Sequence, residues 1–81
     1  LALRYERGAA HYGDRNWERG QPVSRVMDSA IRHACDYMAG NRAEDHLAAA
    51  AWNLFAAIHY EEEAKAGRLP ASLIDVQEVP Q

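Results

Sequence analysis

Residues 44–65, EDHLAAAAWNLFAAIHYEEEAK, decide the fold. These 22 residues contain no Gly or Pro, and their commonest residue is alanine, the strongest helix former. Leu47, Ala51, Leu54 and Ile58 recur at the i, i+4, i+7, i+11 spacing of one helical face, which Ala48 and Phe55 widen. The spacing predicts a helix over 44–65 that buries this face. Glu44 and Asp45 stand in its first turn, where carboxylates meet the positive end of the helix dipole. Gly67 suits a left-handed C-terminal cap. His46 and Asn53 share another face, with small alanines between them. An imidazole and an amide in register on a mostly apolar helix mark a place to look for function.

Upstream, Val26, Met27, Ala30, Ile31, Ala34, Cys35 and Met38 form a second stripe of helical period, with Ser24 as its N-cap and Gly40 as its end. The turn Gly40-Asn41-Arg42 is short enough to make the two helices antiparallel neighbours. Residues 13–22, GDRNWERGQP, read as a loop, residues 1–12 as a shorter helix, and residues 69–73 as a turn that starts one more. Residues 76–81 read as a tail or an arm over a partner. Strand signals are absent. The expected fold is all-α, one domain over 1–81, with two main antiparallel helices and short flanking ones.

So short a chain buries only about 60% of its unfolded surface, and its own core is small. Cys35 is the only cysteine, so no internal disulfide staples the fold, and the setting reads as reducing and cytoplasmic. Further copies of the chain are the remaining common support, so a homo-oligomer is expected. Twelve acidic and nine basic residues give a net charge of −3, which argues against a nucleic-acid-binding surface. No run of 18 apolar residues offers a membrane span.

Three groups of residues could carry chemistry. In the loop, Arg15 could pair with a phosphate, Asn16 could read a base edge and Trp17 could stack on a purine. The competing reading is a structured turn with Trp17 packed on the core. On the second stripe's flank, Arg32 could meet a phosphate, His33 donate a hydrogen bond and Asp28 hold a metal ion. The competing reading is a surface Asp–Arg pair at helical spacing beside a half-buried His. At the start of the long helix, Glu44 and Asp45 could hold Mg²⁺, which prefers oxygen ligands, with His46 and Asn53 facing the same ligand. Charge complementation of a helix end is the plain alternative. Cys35 reads as core, and His11 and His59 have no companions at ligand spacing.

Set together, these residues resemble phage and prophage proteins of the dATP/dGTP diphosphohydrolase N-terminal family. The resemblance rests on Gly8-Ala9, Tyr12 through Glu18 (YGDRNWE), Gly20, Ser24-Arg25, Asp28-x-x-x-Arg32-His33 and Gly40. It continues through Glu44-Asp45-His46-Leu47-Ala48, Trp52-Asn53 and Gly67-x-Leu69-Pro70-Ala71-x-Leu73. It implies a MazG-like all-α fold, a segment upstream of Leu1, and oligomers in which helix carboxylates hold Mg²⁺, with Mn²⁺ as a substitute. In a phage-encoded protein the setting would be the host cytoplasm. MazG-type enzymes carry E-E-x-x-E on one helix and E-x-x-D on the next. Here residues 24–39 contain no glutamate, and Leu47 stands three positions after Glu44 in place of Asp.

The resulting expectation is a purine-nucleotide protein that cleaves a (d)NTP such as dATP or dGTP to the monophosphate and pyrophosphate. Asp28, Glu44 and Asp45 would serve as the metal-holding catalytic carboxylates. Arg15, Asn16, Trp17, Arg32, His33, His46 and Asn53 would bind substrate in sites between subunits. The alternatives are a non-catalytic protein that sequesters a nucleotide or nucleotide signal, as an anti-defence sponge would, and a structural interaction module.

Overall fold

A computed structural model describes residues 16–80 of the chain; the helix expected over 1–12 lies outside them. Among the described residues two α-helices dominate, α1 (Val23–Met38) and α2 (His46–Lys65). A 3-10 turn at Asn16–Arg19 precedes them, another at Ala71–Leu73 follows, and no strand is present among these residues. The expected all-α class holds. Among the described residues no helix is long and apolar enough to cross a membrane.

The two helices run antiparallel. Val23 and Val26, at the start of α1, pack with Trp52, Ala56, Ala57 and Tyr60 of α2. His33, late in α1, meets His46 at the start of α2. Trp17, Met27, Leu69 and Ile74 close around the apolar end of this seam. Alanines on the inner face of α2 let α1 approach closely, and Trp52 and Tyr60 supply the bulk that fills the space.

Helix ends explain why the chain turns where it does. Both helices finish in Schellman motifs with a glycine in the left-handed region, Gly40 at φ 91° and Gly67 at φ 78°. Asn41 N–H reaches the Asp36 carbonyl at 3.0 Å, and Arg68 N–H reaches that of Glu63 at 2.9 Å. Gly67 thus caps α2 as its position predicts. Asp45 lies one residue outside α2 as its N-cap, its carboxylate accepting the Ala48 N–H at 3.1 Å.

The expected cap of α1 is different. Ser24 lies inside the first turn, and Pro22 holds the cap position without a side-chain bond. Asp75, 51 residues away, supplies the missing acceptor. Its carboxylate accepts Ser24 N–H at 2.8 Å and Ser24 Oγ–H at 2.6 Å. The tail over 69–75 therefore folds back onto α1. Gly20 makes room for it, since a β-carbon there would stand 2.4 Å from Leu73 Cδ1.

The buried faces differ from the expected ones. On α2 the inner face is His46, Ala49, Trp52, Asn53, Ala56, Ala57 and Tyr60. The face expected to be core looks outward, with Leu47 54%, Leu54 45%, Phe55 51% and Ile58 52% exposed. On α1, Val26 and Ala30 are buried as expected, joined by Val23 and Ser29, but Ile31, Ala34, Cys35 and Met38 are exposed. The physical reason is that α2 is apolar nearly all round, so periodicity alone does not choose which side meets α1. Counting about 100° per residue from the seam, Ile31, Ala34 and Met38 turn to the same side of the pair as Leu47, Leu54 and Ile58. The displaced stripes leave large apolar side chains of both helices exposed.

Two outcomes follow from this packing. Trp52→Ala is expected to cost about 3–5 kcal/mol in urea unfolding, since the ring is buried in the seam. Its two hydrogen bonds from Ser24 hold the Asp75 carboxyl below the ordinary carboxylate range, and the Arg68 hydrogen bond does the same for Glu63. With both folded values depressed, these ties stabilise fully above the unfolded carboxylate range and are lost as pH falls through the folded values. Amide exchange at Ser24 and over 66–75 should therefore accelerate on acidification before exchange within α2 does. Uniform acceleration across both would contradict this.

Candidate functional site

The connection between the helices, residues 39–45, is held in shape by its own side chains. Asn41 Oδ1 accepts the Ala43 N–H at 2.8 Å. The Arg42 guanidinium lies 3.9 Å from the centre of the Tyr37 ring and donates to the Tyr37 carbonyl at 2.8 Å. A cation is thus fixed over the negative end of α1. The chain then turns so that His46 N–H meets the Glu44 carbonyl at 2.9 Å, and Glu44 projects beside α1.

Three chemically active side chains converge at this corner. His33 Nδ1 and His46 Nδ1 are 2.8 Å apart, with ring centres at 5.1 Å. Glu44 Oε1 lies 3.9 Å from His33 Nδ1. The ligand atoms of His33, Glu44 and His46 all fall within 4.8 Å of one another. This is the one group of three or more such side chains found among the described residues. One Nδ1 must carry the shared proton and the other offer a lone pair. His46 is 4% exposed, and its Nε2 has no hydrogen-bond partner. Burial without a partner is costly, so this imidazole is not explained by packing alone.

The other candidates divide. Asn53 lies on the same inner face, 3% exposed, its Nδ2 donating to the Ala49 carbonyl at 2.9 Å while Oδ1 has no partner. Asp28 and Arg32 are exposed on α1 and make no ion pair with each other, and Asp28 is not part of the corner group. Asp45 is occupied as a cap. Arg15 lies outside the described residues, and Asn16 is placed by its backbone alone, in the first 3-10 turn.

Trp17 forms a wall. It lines a cleft of about 200 Å³ with Trp52, Phe55, Ala56 and His59, and its ring centre lies 5.1 Å from that of His59 at a tilt of 54°. It also packs on the core, as the competing reading of this residue expects. His59 is the site residue that ligand spacing missed. The signal that could have found it is Trp52, Phe55, Ala56 and His59 at i, i+3, i+4, i+7, one face of α2.

The model of the family described as dATP/dGTP diphosphohydrolase, N-terminal, matches residues 1–69, and the chain belongs to that family. No curated protein and no solved structure matches it.

The corner predicts unequal costs. His46→Ala should lose about 1–3 kcal/mol of stability, because it strips the buried face of the His33 partner. Glu44→Gln, at an exposed position, should stay within about 0.5 kcal/mol of the parent. Urea titrations of both variants check this, and equal costs would remove the distinction between a buried position and an exposed one.

Proposed function

From that family membership we propose that the chain handles purine nucleotides and takes part in cleaving a (d)NTP such as dATP or dGTP. The products would be the monophosphate and pyrophosphate, with water as the nucleophile. The match over residues 1–69 carries this reading. Two features of the molecule support it. The cleft walled by Trp17 and His59 offers aromatic faces of the kind on which bases stack. The corner of His33, Glu44 and His46, about 15 Å away along α2, offers imidazoles of the kind that donate to phosphate oxygens.

In this reading Trp17 covers the base, with Asn16 at its edge. Arg15 and Arg32 neutralise phosphate charge, and His33 donates to a phosphate oxygen. The donor set does not fit Mg²⁺. That ion demands near-octahedral oxygen ligation, while the corner offers two imidazoles and one carboxylate. Asp45 is engaged as a cap and Asp28 is not part of the corner group. No step is therefore assigned to Mg²⁺. The same scarcity of carboxylates favours a second reading, in which the chain sequesters a nucleotide without hydrolysing it.

A cleft of about 200 Å³ is smaller than the ~300–1,000 Å³ of most small-molecule sites. We place the complete site between copies of the chain, joined through the apolar flank of Ile31, Met38, Leu47, Leu54 and Ile58. Area of this kind on a small protein commonly marks an interface.

Calorimetric titration of dATP, dGTP and their ribonucleotide counterparts, with chromatography of each mixture for pyrophosphate, separates the readings. Product release establishes hydrolysis, binding without product establishes sequestration, and no binding sinks both. Trp17→Ala should weaken binding by about 1–3 kcal/mol. Ile58→Glu should move the sedimentation coefficient to that of a monomer; an unchanged coefficient would remove this flank as the interface.

A further inference from the structure

We propose that His33, Glu44 and His46 form a three-ligand site for a divalent transition-metal ion of the zinc class, taken up by the protein without any nucleotide. The inference goes beyond the nucleotide reading and stands if that reading fails.

The donor set carries it first. Imidazole nitrogens suit zinc, nickel, copper and iron, whereas magnesium and calcium select oxygen. Two histidines and one glutamate are the ligand set of a zinc site that keeps a position open. Three ligands leave the fourth place for water or for an oxygen of an incoming anion.

The distances come next. Tetrahedral ligands at about 2.0–2.1 Å from zinc stand roughly 3.3 Å apart. The two Nδ1 atoms, now 2.8 Å apart, would have to part by a few tenths of an ångström. Glu44 Oε1 lies 3.9 Å from His33 and the three ligand atoms lie within 4.8 Å of one another, so the carboxylate would have to close in by up to about 1.5 Å. Glu44 is exposed and precedes the first residue of α2, so its side chain can move without disturbing the helix pair. His33 is half-buried on the last turns of α1, and His46 is fixed at the start of α2. The ion would therefore tie the two helices together at the end opposite Trp17.

Protons balance without an outside donor. In the present pair one Nδ1 carries hydrogen and bonds to the other. On metal uptake that proton moves to Nε2 of the same ring, both Nδ1 lone pairs face the ion, and Glu44 binds as carboxylate. Buried at the start of α2, His46 has its Nδ1 held toward His33 and Glu44, where an ion would sit.

The test is Zn²⁺ uptake by the metal-stripped full chain, measured against a chromogenic chelator, with Co²⁺ as a spectroscopic probe. One ion per chain is expected. Glu44→Gln and His33→Gln, each confirmed as helical by circular dichroism, should each weaken Zn²⁺ by at least about tenfold, a loss that even outer-shell partners produce. Both should also remove the visible Co²⁺ band, and millimolar Mg²⁺ should not displace Zn²⁺. The proposal fails if no ion is taken up. It fails equally if both variants bind Zn²⁺ as the parent does, which would assign the ion to His11 or His59, or if Mg²⁺ displaces it.

Discussion

Everything in this small fold depends on one seam, where the inner face of α2 lies against α1. At one end the seam is apolar, with Trp52, Ala56, Ala57 and Tyr60 against Val23 and Val26. At the other it is polar, with His46 buried against His33 and Asn53 between the two ends along α2. The apolar end supplies the driving force, since burying aromatic side chains is the largest favourable term available to so few residues. The polar end costs stability, because His46 Nε2 and Asn53 Oδ1 have no partners. A chain with little core to spare retains these groups in its interior, which makes the polar end the candidate site.

The helices were legible in the sequence and their orientation was not. Uninterrupted helix formers before Gly40 and Gly67 placed both elements to within two residues, because caps are local physics. The choice of buried face is not local. Leu47, Leu54, Phe55 and Ile58 carry more apolar surface than the alanines opposite them, and spacing alone favours the larger side chains. The seam instead takes the small residues, which allow close approach, together with Trp52 and Tyr60. Likewise Ser24 reads as a cap by position, yet its own first turn is satisfied by Asp75, a partner no local window contains.

The candidate site was legible in its residues but not in its grouping. His33, Glu44, His46 and Trp17 stand out from the sequence in three separate stretches. The reversal at Gly40 brings three of them to one corner and leaves Trp17 at the far end of α2. Asp28 and Arg32 lie about 140° and 100° round the helix from His33, and both are exposed because α1 meets α2 along Val26, Ala30 and His33. Among the described residues the corner offers two imidazoles and one carboxylate where the MazG-like resemblance implies a carboxylate cluster.

The Ser24–Asp75 tie also bears on the order in which the molecule assembles. Contacts between α1 and α2 span the short connection over 39–45, so their loop-closure entropy is small and they are expected early in folding. The tie joins residues 51 apart in sequence, and it gains little until α1 exists to present its first turn. It is therefore expected last on the way in and first on the way out. Asp75 also lies beyond residue 69, where the family match ends. The chain's last structural step is thus a late latch, closed by a residue beyond those the family model matches.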